Sequence, residues 1–116
     1  MPLIVPNRIK PRVILGLMTF GPDKEAGARI TDTETLGKAL DVLKTWGYNE
    51  VDTARVYVAG AQEAFTREAK WKDRGFTLAT KIEYPSKPGA NNAKAVRESV
   101  EKSLAELGTD CVDACC

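Results

Sequence analysis

The chain has 116 residues with 17 basic and 16 acidic side chains, a formal charge of +1 and no histidine. At 43% apolar and 28% charged, it has the composition of a single globular domain over 1–116, too rich in apolar residues for a disordered or fibrous chain. The charge balance offers no basic stripe for nucleic acid. The longest apolar stretch, residues 13–18, is far short of the roughly 20 that cross a bilayer, so neither nucleic acid nor membrane is an expected partner.

The first six residues lack a basic leader and an apolar core, which predicts a cytoplasmic, reducing setting. A segment rich in proline and basic residues (Pro6, Arg8, Lys10, Pro11, Arg12) precedes Val13-Ile14-Leu15-Gly16-Leu17, an apolar run typical of a buried parallel strand. A glycine-bearing loop covers 19–30. Thr31-Asp32-Thr33-Glu34 then has capping-box spacing, with the Thr31 hydroxyl and the Glu34 carboxylate each set to satisfy a free backbone N–H. Leu36, Leu40 and Leu43 form the apolar stripe of the helix that follows, and Gly47 stops it.

The pattern recurs along the rest of the chain. Residues 50–54 read as a strand, and 61–74 as a helix with Phe65 and Ala69 inward and Gly75 as its stop. Residues 76–82 form the next strand, closed by Pro85, Pro88 and Gly89. The helix over 93–107 is expected to bury Val96, Val100, Leu104 and Leu107 and to pair Glu98 with Lys102 on its wet face, ending at Gly108. Residues 111–116 begin a fourth strand. Trp46 and Trp71 read as packing residues, and Arg67, Lys70, Lys72 and Arg74 as a solvated helix face. Cys111, Cys115 and Cys116, odd in number and crowded together, make no disulfide framework, and without histidine they make no metal site.

Strands spaced by roughly 30 positions with helices between them predict a parallel α/β sheet. It could close as an open doubly wound sheet or as an eight-stranded barrel. The open dinucleotide-binding form normally shows G-x-G-x-x-G after its first strand, and Gly16 and Gly21 do not fit that spacing.

Chemistry in such folds gathers at the carboxyl ends of strands, where Asp52, Tyr57 and Lys81 fall. An aspartate inside an apolar strand needs a cation, and Lys81 at the matching point of the adjacent strand can supply it. A phenol titrates near pH 10, and a neighbouring ammonium favours its phenolate, so the three groups suit proton transfer. The same residues also fit a structural ion pair and a packing tyrosine.

The stretch Gly47-Tyr48-Asn49-Glu50-Val51-Asp52-Thr53-Ala54-Arg55-Val56-Tyr57, with Thr80-Lys81 at a later strand end, resembles the aldo-keto reductase family. Met18-Thr19-Phe20-Gly21, Glu68-Ala69-Lys70-Trp71-Lys72 and Glu106-Leu107-Gly108-Thr109-Asp110 are most similar to its aflatoxin-aldehyde reductase branch. The resemblance implies the N-terminal portion of a (β/α)8 TIM barrel, about three βα units plus a fourth strand, from a domain that reduces aldehydes and ketones with NADPH. It implies that Tyr57 protonates the carbonyl oxygen, that Lys81 lowers the Tyr57 pKa, and that Asp52 pairs with Lys81 near the cofactor. Met18 and Thr19 would line the nicotinamide. The family's active-site histidine has no counterpart in this chain, and a full barrel needs about 250 residues. The expectation is therefore a truncated domain, inactive alone, that lacks most NADPH contacts. The alternatives are a non-catalytic half-barrel that self-associates or pairs with a full-length relative through open sheet edges, and a truncated gene product without function.

Overall fold

The computed structural model describes residues 11–84 and 87–116; Pro6, Arg8 and Lys10 of the opening segment and the Pro85 breaker lie outside the described residues. In chain order the elements are β1 (Ile14–Gly16), α1 (Thr33–Thr45), β2 (Glu50–Asp52), a 3-10 turn (Tyr57–Gly60), α2 (Gln62–Glu68), β3 (Thr77–Thr80), α3 (Ala93–Leu107) and β4 (Ala114–Cys115). Among the described residues, no helix is long and apolar enough to cross a membrane.

Helix α1 begins one residue later than the Thr31 capping box predicts. Asp32, in extended backbone, caps it by accepting from the Thr35 N–H at 2.6 Å, because a carboxylate serves as well as a hydroxyl there and its charge suits the helix N-terminus. At the other end Gly47 (φ 81°) lets the N–H of Tyr48 reach back to Leu43 and its own N–H to Lys44, closing the orphan carbonyls. Helix α2 stops at Glu68 instead of continuing to 74. Lys70 turns left-handed (φ 58°), and Trp71 swings under α3, where its indole N–H donates to the Leu107 carbonyl at 3.1 Å.

The basic residues in the last turn of α2 and just after it are ties as well as a wet surface. Arg74 donates to the Ala69 carbonyl at 2.8 Å and to Asp41 on α1, Arg67 donates to the Ala105 carbonyl, and Lys72 to the Thr109 hydroxyl. Helix α3 also departs from expectation. Its buried positions are Ser99, Ser103 and Leu107, whereas Val96 is exposed and Val100 and Leu104 are half-buried. Small serines permit a close approach that branched side chains would block, and Ser99 Oγ accepts from the Glu83 N–H at 2.8 Å. Glu98 pairs with Lys94 at 3.7 Å in place of Lys102. Of the two tryptophans, Trp71 is 3% exposed and packs as expected, but Trp46, at the end of α1, is 70% exposed.

The four strands are parallel in the order β1-β2-β3-β4. A doubly wound sheet reverses its strand order at a switch point, and this sheet does not. Alternation splits the strands into two faces. Leu15, Val51 and Leu78 point to the helices and join Leu17, Leu36, Leu40, Phe65, Trp71 and Phe76 in one core. Ile14, Glu50, Asp52, Thr77 and Ala79 share a hollow on the opposite face. Arg12 clamps Glu50 through paired hydrogen bonds at the lower end of that hollow.

Candidate active site

Asp52 is the last residue of β2, and Lys81 directly follows β3. The register sets Asp52 opposite Ala79 instead of Lys81, so the matching-point expectation is off by one inward position. Residues 79 and 81 share a face, and the long lysine stem reaches back. Lys81 Nζ donates to Asp52 Oδ2 at 2.6 Å and to the Thr53 carbonyl at 2.8 Å. The same nitrogen lies 5.2 Å from the centroid of the Tyr57 ring. Carboxylate, ammonium and phenol therefore meet at the carboxyl ends of two neighbouring strands, half-exposed to solvent.

Burial works against the Lys81 ammonium, but its hydrogen bond and attraction to Asp52, joined by Tyr57, outweigh it and hold the group above the ordinary lysine value. A raised folded-state value stabilises the fold below the unfolded value and loses that contribution as pH climbs through the raised one. The difference in melting temperature between the native chain and Lys81→Met is thus expected to be constant at neutral pH and to shrink above about pH 10.4. Thermal melts across that range check it.

Met18 and Thr19 follow β1 in a turn. The neighbouring Leu17 N–H donates to the Asp52 carbonyl at 2.9 Å, which holds this turn beside the Asp52 strand end. Met18 is 58% exposed, and the Thr19 carbonyl accepts from the Arg29 and Ile30 N–H groups.

Tyr57 itself sits on an unusual turn. Val58 (φ 51°, ψ 50°) and Ala59 (φ 52°, ψ 33°) are both left-handed without being glycine. Each such residue costs roughly 1–3 kcal/mol, and it persists only where its surroundings hold it. Val58 is 5% exposed and packs against Gly21, where a Cβ would come within 2.8 Å of its methyl groups. The other restraint is ionic. Arg55, 4% exposed, donates to the carboxylate of fully buried Glu63 and to the Gly60 carbonyl. Glu63 Oε1 also accepts from the Thr80 hydroxyl at 2.7 Å, and Thr53 Oγ1 bonds the side chain of Gln62.

Sequence reasoning missed this network. Its one signal is that polar Gln62 and Thr66 repeat at a spacing of four beside Phe65 and Ala69, which marks a polar inward face on α2.

Comparison with known proteins gives a consistent picture. The model of the Aldo/keto reductase family matches residues 12–116. An aldo-keto reductase of Pseudocercospora fijiensis is 34% identical over 77 residues, which is 64% of this chain and 26% of that protein. Norsolorinic acid reductase B of Dothistroma septosporum is 32% identical over 123 aligned positions, covering 91% of this chain and 30% of the relative. Among solved structures, an aldo-keto reductase from Klebsiella pneumoniae in complex with NADPH superposes with a TM-score of 0.68 at 25% identity, over 90% of this chain and 34% of the other. The chain thus spans about a quarter to a third of the length of these proteins, and its four-stranded parallel sheet is part of a (β/α)8 barrel.

Proposed function

The chain belongs to the aldo/keto reductase family, and on that premise we propose that it is the segment of a cytoplasmic NADPH-dependent oxidoreductase that carries the proton-donating machinery for reducing small aldehydes and ketones to alcohols. The observation that carries this reading is the convergence of Lys81 Nζ on Asp52 Oδ2 at 2.6 Å and on the Tyr57 ring at 5.2 Å. NADPH, when bound, supplies the hydride. Tyr57 gives its phenolic proton to the carbonyl oxygen, and the neighbouring ammonium stabilises the phenolate left behind. Asp52 keeps that ammonium from drifting into solvent, and the Thr53 carbonyl fixes it from a second direction. Met18 and Thr19 are assigned to the nicotinamide side of the pocket.

A second reading rests on the sheet itself. In the described structure β1 and β4 are edge strands, with Val13 37% and Ile14 46% exposed on the β1 side. Such edges suit pairing with a second copy or a full-length relative, in a non-catalytic role.

One measurement separates the two. Fluorescence titration of NADPH into this segment joined to the remaining strands of a related barrel is expected to saturate, and an aldehyde is then expected to consume the bound NADPH, whereas the 116 residues alone, about a third of such a protein, are expected to be inactive. Saturation with turnover supports the reductase. No binding at any concentration overturns it and leaves the pairing role.

A further inference from the structure

We propose that Glu63 is a positioning residue for the proton-donating cluster, its one carboxylate clamping the Tyr57 turn, through Arg55, to the strand end that bears Lys81, through Thr80. The inference deepens the reductase reading and rests on it. Glu63 is fully buried, and both of its oxygens are used: Oε2 takes the Arg55 guanidinium and Oε1 the Thr80 hydroxyl. A carboxylate hidden this deeply persists only when it is paired and hydrogen-bonded, so its partners are held where it needs them.

The partners are adjacent to the chemistry. Thr80 immediately precedes Lys81, and in an extended strand the two point to opposite faces, so a tie on the helix side sets how Lys81 stands on the other. Arg55 lies two residues before Tyr57 and also holds the Gly60 carbonyl, closing the left-handed turn over 57–60 from behind. The backbone joins the same two points, because the Arg55 N–H donates to the Lys81 carbonyl at 3.0 Å. Without the clamp, the Arg55 side chain no longer ties the turn to the strand end, and the ammonium and phenol lose their fixed separation.

The test reads the Lys81 ammonium directly and needs no turnover. In 15N-lysine-labelled protein, exchange of the ammonium protons with water reports how firmly each is hydrogen-bonded. Lys44, whose ammonium donates to the Arg74 carbonyl far from the cluster, is the internal reference. Thr80→Val, which removes one hydroxyl and keeps the branched shape, and Glu63→Gln are each expected to speed Lys81 exchange about threefold to tenfold while Lys44 stays unchanged. Asp52→Asn is expected to speed it in any case. If Asp52→Asn accelerates Lys81 but neither clamp variant moves it relative to Lys44, the positioning role is overturned and the cluster stands. If both lysines accelerate together in the clamp variants, Glu63 serves only general stability, and the proposal fails. If Asp52→Asn leaves Lys81 exchange untouched, the cluster itself falls, and the clamp with it. Should Glu63→Gln lose its helical circular dichroism, Thr80→Val alone decides.

Discussion

Replacing Tyr57 with phenylalanine, in this segment joined to the remaining strands of a related barrel, is expected to lower aldehyde-dependent NADPH oxidation by roughly 10²- to 10⁴-fold, the range that a positioned general acid contributes. The ring remains and only the hydroxyl goes, so the turn over 57–60, held by Arg55 and by Val58 against Gly21, keeps its shape. NADPH affinity is expected to change little, since the phenol acts on the carbonyl oxygen as charge develops there and contributes little to the ground state. Steady-state rates together with a fluorescence titration make the check. A variant that retained the native rate would show that the proton comes from elsewhere and would remove Tyr57 from the mechanism.

The largest stability effect is expected at Arg55. Arg55→Met keeps the length of the side chain but strands the Glu63 carboxylate in the core, and losing one partner of a buried pair costs roughly 3–5 kcal/mol. Against a total of about 5–15 kcal/mol for a domain, much of the folded population disappears. The double variant Arg55→Met with Glu63→Leu is expected to recover most of the loss, because apolar groups of similar volume replace a buried pair at little net cost. Urea denaturation of the native chain, both single variants and the double variant closes the cycle. A single variant as stable as the native chain would mean that water or another cation reaches Glu63.

The two ion pairs of the site differ in their exposure to water. Asp52 and Lys81, at 35% and 38% side-chain exposure, form a wet pair that adds little to stability and stays open to solvent. Arg55 and Glu63, at 4% and 0%, form a dry pair that no substrate reaches. On the proposed reading, chemistry lies on the open face of the sheet and its support on the helix side.

Much of this arrangement follows from local sequence. The alternation of apolar strands with amphipathic helices and the Gly47 and Gly108 stops are decided by neighbours within about four positions, through hydrogen-bond periodicity and backbone sterics. Other features needed the assembled sheet. The two-residue offset between Asp52 and Lys81 depends on parallel register, the serine face of α3 on how closely that helix approaches, and the early end of α2 on Trp71 finding the Leu107 carbonyl. The pairing of Arg55 with Glu63 and Thr80 is of the same kind, since desolvation makes a buried charge choose among partners that only the fold brings within reach.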